Sequence, residues 1–268
     1  MDKLPKKYYF IDESGDPTFY ANRKHCIVGS AGFTPVLLLG MVIIEDKKKI
    51  RNAILQFMDQ IRNDNLYNTL PCINNAKGWY LHASYDNLEV QIKFLDFLRN
   101  LKGFEFHAII ARKRLDVFHK KHNDNESEFY FDLVYHLLKN QEYSKDSFHQ
   151  IILSARNKNT LKALNDAVFN AIDSNKTGIG NQDPIFYNCD VLQSRLTPEL
   201  SIADYLLLAL QRYILKGEIR FYKALEEKYK LIIDLYDFEK QENNANFYHS
   251  GNRFDINKAS KFRTDGYH

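Results

Sequence analysis

At 268 residues, with 44% hydrophobic and 26% charged side chains, the chain can bury a substantial core in one large domain or two small ones. A formal net charge of +3 is too small to mark a nucleic-acid binder by bulk charge, so any such role must rest on local clusters. The cysteines Cys26, Cys72 and Cys189 are odd in number and far apart, which argues against a disulfide framework or a thiolate metal site; no run approaches the roughly 18 apolar residues of a membrane span, and the first residues lack the apolar stretch of a signal peptide, so a cytoplasmic protein without membrane contact is expected.

The first element is Tyr8-Tyr9-Phe10-Ile11 running into Asp12-Glu13-Ser14-Gly15-Asp16, an extended apolar stretch that ends in carboxylates and turn residues. Like charges repel and burial disfavours ionisation, so acids gathered at a buried strand end call for a cation. Alternation puts Tyr8, Phe10 and Asp12 on one face and Ile11 and Glu13 on the other, which makes Asp12 the first candidate ligand and Glu13 the second. Residues 26–33 and 36–45 read as two further extended segments, completing an antiparallel meander. Residues 46–62 change to a helical period, with Ile50, Ile54, Phe57, Met58 and Ile61 in register, and a second helix is expected over about residues 86–101 after a short segment at 79–83.

From Phe104 the rhythm alternates: strand 104–111, helix 126–138, strand 147–154, helix 160–172 with Leu161, Leu164, Val168, Phe169 and Ile172 on one face, and strand 185–192. Three antiparallel strands followed by βα units describe an α/β protein with a mixed sheet flanked by helices, and the ribonuclease H-like fold has that element order. Two basic clusters, Arg112-Lys113-Arg114 and Arg156-Asn157-Lys158, directly follow strand-like runs, so Arg112, Lys113, Arg156 and Lys158 are expected to contact phosphates. Lys47 to Lys49 reads as a solvated helix face.

Thr197-Pro198 opens a helix whose residues 200–210 are apolar on every side apart from Asp204. A lone carboxylate in such a helix needs a hydrogen-bonded cation partner or a metal. Residues 215–235 read as a final helix interrupted at Gly217. The domain is expected to close at residue 238, leaving 239–268 as a polar tail whose Phe247, Tyr248, Phe254 and Phe262 can dock on the domain or a partner.

Phe10-Ile11-Asp12-Glu13-Ser14-Gly15-Asp16, Leu81-His82-Ala83 with Asp86 and Glu89-Val90, and Leu192-Gln193-Ser194 with Leu200-Ser201-Ile202-Ala203-Asp204-Tyr205 resemble the family catalogued as domain of unknown function 3800, over residues 7–237. The resemblance implies a ribonuclease H-like fold and a metal-dependent nuclease, often in bacterial or phage-defence settings. It maps the first-strand acid onto Asp12 and the final-helix acid onto Asp204, with Mg²⁺ or Mn²⁺ as the ion. Two departures stand out: Trp79-Tyr80-Leu81 replaces an acid common before the middle His, and Ser154 replaces a strand-end Asp or Glu. A two-metal site takes roughly three or four carboxylates, so His82, as ligand or general base, and Asp86, as a further metal ligand, are the candidates to complete this one. The expected catalytic set is Asp12, Glu13, His82 and Asp204, acting on RNA or DNA. The alternatives are a degenerate module that binds nucleic acid or a partner protein without cleaving, and an enzyme acting on another phosphate ester; a protein partner or a homo-oligomer is a further expectation.

Overall fold

The structure is a computed structural model that describes residues 4–22, 24–75, 78–155, 161–176 and 184–263. Its first half carries β1 (Lys6–Ser14), a ribbon of β2 (Tyr20–Ala21) and β3 (His25–Cys26), β4 (Val36–Ile44), α1 (Lys47–Asn63), α2 (Leu88–Asn100) and β5 (Phe104–Arg112). There follow α3 (Leu115–His122), α4 (Glu126–Leu138), β6 (Phe148–Ser154), α5 (Leu161–Lys176), β7 (Phe186–Leu192), α6 (Leu200–Lys216), α7 (Ile219–Leu225), β8 (Tyr229–Asp234) and β9 (Phe247–His249). One sheet of seven strands has the order β7-β6-β1-β4-β5-β8-β9. The β1/β4, β4/β5 and β8/β9 pairs are antiparallel, and β1/β6, β6/β7 and β5/β8 are parallel. This is an α/β fold with a mixed sheet and helices on both faces, compatible with a ribonuclease H-like architecture.

Three segments differ from their sequence reading. The third strand of the meander is β5, while most of residues 26–33 form turns: Gly29 and Gly32 take φ of 79° and 84°, and Ser30 and Phe33 donate to Ile27 and Ser30 carbonyls. Residues 229–234 are a strand, not a helix, because Ile232 and Ile233 fill the sheet position beside Ala108 and Ile109 of β5. The spacing of Tyr229 and Ile232 suits a helix equally well, so only the neighbour settles the choice. The polar tail contributes an edge strand, β9, and buries Tyr248 and Phe254, so the expected boundary at 238 falls inside the packed unit. On α5, Leu164, Val168 and Ile172 are buried, but Leu161 and Phe169 are exposed.

Strand alternation sorts the core into two layers. Phe10, Leu38, Val42 and Phe106 pack against α1, α2, α6 and α7, whereas Tyr9, Ile11, Leu39 and Ile109 pack against α3, α4 and α5. Asp12 follows Phe10 onto the α6 face, and Glu13 follows Ile11 onto the α4 face. Gly40 lies opposite Asp12 in the β1/β4 register. A Cβ there would come within 2.6 Å of Phe106 and 3.0 Å of Leu207, so the missing side chain lets α6 lie directly on the sheet beside Asp12.

Candidate active site at the carboxyl ends of β1 and β6

Because β1, β6 and β7 run parallel, Asp12, Ser154 and the Gln193-Ser194-Arg195 turn all emerge at one sheet edge, where α/β folds commonly bind ligands. A cleft of about 1040 Å³ opens there, and its walls include Asp12, Tyr80, His82, Ser154, Arg195 and Asp204. The structure therefore brings Asp12 and Asp204, 192 residues apart in sequence (204 minus 12), into one cavity.

Asp204 Oδ2 accepts from the Ala83 amide at 2.8 Å and lies 3.4 Å from His82 Nδ1. Among the described residues no Lys or Arg forms an ion pair with it, although only 18% of its side chain is exposed. Burial pushes its carboxyl up to about 6; the Ala83 N–H opposes that shift and the Asp86 charge adds to it. Asp12 Oδ1 accepts from the Glu13 amide at 3.0 Å. Its negative charge opposes the burial that lowers the His82 pKa, so the two side chains share one electrostatic environment. His82 is mostly neutral near pH 7 as a result. Its Nδ1 faces Ser84 Oγ at 3.2 Å, and Nε2 makes no hydrogen bond among the described residues. A neutral imidazole of this kind can take a proton or ligate a cation.

The loop that carries His82 is built on Asp86. Trp79 Nε1 donates to Asp86 Oδ1 at 2.7 Å, and the His82 amide at 2.9 Å and the Tyr205 hydroxyl both donate to Oδ2. Gln91 Nε2 adds bonds to the Ala83 and Asp86 carbonyls at 2.9 and 2.8 Å. Leu81 and Ala83 are buried, so His82 between them turns outward. Asp86, expected as a further metal ligand, also lines the cleft and anchors this loop, each of its oxygens accepting from a protein donor.

Glu13 accepts from the Tyr130 hydroxyl of α4 at 2.7 Å and also lines the cleft. Glu199, at the start of α6, is fully buried in a two-pronged pair with Arg51 at 2.8 and 2.9 Å. The expected phosphate contacts fare differently. Arg112 is buried, with Nη2 at 2.8 Å from Asp234 and 3.1 Å from Asp237, and its guanidinium stacks 4.0 Å from the Phe262 ring. Lys113 is buried beneath Phe33, donates to the Thr18 carbonyl at 2.6 Å, and has its pKa lowered by burial to about 8. Neither can meet a substrate, since both charges are satisfied inside the protein. Arg156 and Lys158 lie outside the described residues. Among the described residues, the exposed Lys or Arg at the cleft is Arg195, which stands alone after a strand end and so forms no basic cluster in the sequence.

Among the described residues, no group of three or more His, Cys, Asp and Glu side chains is arranged to hold a metal ion. A pair of carboxylates suits a single Mg²⁺, which usually keeps several waters and takes one or two protein carboxylates beside substrate phosphate. Ser154, hydrogen-bonded to Ser194 Oγ at 2.9 Å, stands one residue beyond Leu153, the register partner of Ile11, so a carboxylate there would have flanked Asp12. The chain matches no protein-family model and has no significant match among curated proteins. No described helix is long and apolar enough to cross a membrane.

Proposed function

We propose that the protein is a metal-dependent phosphodiesterase acting on nucleic acid, in keeping with the residues it shares with the domain of unknown function 3800 family. The observation that carries this reading is Asp204: a largely buried carboxylate, with no Lys or Arg pair among the described residues, in one cleft with Asp12 and beside His82. Asp12 and Asp204 would hold a single Mg²⁺ or Mn²⁺, which when bound would supply positive charge for a phosphate oxygen and an acidified water. The Ala83 amide fixes Asp204 from behind, and Asp86 holds the His82 loop against Tyr205 of α6. His82, neutral and close to both acids, takes a proton at an imidazole nitrogen as the nucleophile forms. Arg195 meets the substrate's negative charge at the cleft wall.

The test is incubation of labelled RNA, DNA and hybrid duplexes with Mg²⁺, Mn²⁺ or chelator, beside Asp12→Ala and Asp204→Ala. Cleavage that needs the metal and vanishes in both variants is expected; binding without cleavage in every condition would overturn the reading. That second outcome is what a non-cleaving nucleic-acid module predicts. Ser154 and Tyr80, neutral residues in the cleft walls, are the observation in its favour.

A further inference from the structure

Beside the acidic cleft runs a second groove of about 610 Å³, lined by Arg51, Arg62 and Arg195 and, among the described residues, by no carboxylate. The two cavities share a rim made of Gly78, Trp79, Tyr80, Ser194 and Arg195. Arg51 and Arg62 are held in place by neighbouring groups of the protein. Arg51 is braced by buried Glu199, which largely cancels its charge, and Arg62 donates to the Trp79 carbonyl at 3.1 Å while its guanidinium stacks 5.4 Å from the indole. The Arg62 pair with Asp59 is a surface contact, with both partners well exposed, and competes weakly with a phosphate. Arg195 is exposed and rests against Gly78, where a Cβ would come 3.3 Å from its Nη2.

On the far side of His82, Tyr85 is 76% exposed on the cleft wall, its ring 4.5 Å from the imidazole. An aromatic ring so exposed contributes little to the core and offers a flat face to a planar group. Acids in one cavity, arginines in the next and an aromatic platform at the mouth match a chain of phosphates bearing free bases. Phosphates beyond the reacting one need cations, and only unpaired bases can stack on a side chain.

We infer that the substrate is a single-stranded polynucleotide, with phosphates next to the reacting one held by Arg62 and Arg195 in the arginine groove and a base stacked on Tyr85. This rests on the phosphodiesterase reading for the reacting phosphate, but its binding test does not require cleavage.

The experiment is fluorescence anisotropy with a labelled single-stranded oligonucleotide and its duplex, in chelator, across a salt series, using the wild type, Arg195→Ala, Arg195→Lys, Arg62→Ala with Arg195→Ala, and Tyr85→Ala. Thermal melts confirm that each variant is folded. Tighter binding of the single strand is expected, and its salt slope should fall by about 0.7 for each phosphate contact removed, with Arg195→Lys keeping most of the slope. Tyr85→Ala should weaken binding about tenfold without changing the slope. Equal or tighter binding of the duplex, or a salt slope unchanged in the double arginine variant, overturns the inference. These results are separable from cleavage: arginine-dependent single-strand binding with no cleavage in any metal sinks the phosphodiesterase reading alone, whereas cleavage that ignores the arginines sinks this inference alone.

Discussion

Two groups of buried acids sit in this sheet and are treated in opposite ways. At the end of β8, Asp234 and Asp237 are 0% and 2% exposed, and Arg112 at the end of neighbouring β5 reaches both at 2.8 and 3.1 Å, with further bonds to the Ser260 and Lys261 carbonyls. At the end of β1, Asp12 shares a cleft with Asp204, whose partners are a backbone amide and a neutral His. The first group carries its own cation and closes the strand end against the C-terminal segment. The second leaves negative charge facing a cavity, where a divalent ion or substrate can answer it. A chain that buries a guanidinium against two carboxylates at the carboxyl end of β8 has not done so for Asp204 beside the carboxyl end of β1. That contrast separates a charge paired within the protein from one that faces a cavity.

The largest test of the contrast is Arg112→Ala. It strands two buried carboxylates and should lower stability by about 3 to 5 kcal/mol in a denaturant titration; an unchanged midpoint would mean that the clamp contributes nothing. Asp204→Asn should act in the other direction. The folded carboxyl is raised from 3.8 to about 6, so stability is fully present below the unfolded value and is lost as pH rises through about 6. In metal-free buffer the variant should be more stable than the wild type by about 3 kcal/mol at neutral pH and equal to it near pH 3. Melting curves across that range give the answer, and Mg²⁺ or Mn²⁺ at pH 7 should raise the wild type alone.

A smaller effect is expected from Tyr130→Phe. Losing the hydrogen bond to Glu13 should cost about 1 kcal/mol in melting experiments, with metal-dependent cleavage kept because Glu13 is held from the α4 face. A collapse of cleavage with unchanged stability would return Glu13 to the reacting set. Arg195→Ala should be smallest in stability, within about 0.5 kcal/mol of the wild type, since the side chain is exposed. A large loss of stability would make it another structural cation like Arg112.

Much of the site was legible because period-two alternation is a local property. Phe10 and Ile11 pack in opposite layers, and that difference puts Asp12 toward α6 and Glu13 toward α4. Asp204 was legible as the one charge in an apolar helix turn. The helix of α4 is likewise local: its expected span matches the observed Glu126–Leu138, capped by the Asn125 side chain. Arg112 and Lys113 were misread because a basic pair after a strand looks the same whether water or two acids await it. The acid that decides the matter lies 122 residues on. The anchoring role of Asp86 was hidden for a related reason, since its donors Trp79, His82 and Tyr205 meet only once α6 is packed.

By itself the sequence determined the α/β class, most of the element order and the face that Asp12 and Glu13 take on β1, because hydrophobic period and backbone propensity act over a few residues. Only the tertiary structure decided which charges are paired, where β8 and β9 join the sheet, and that an arginine groove adjoins the acidic cleft. Charge pairing and sheet neighbours depend on contacts between distant segments, and no local period encodes the partner.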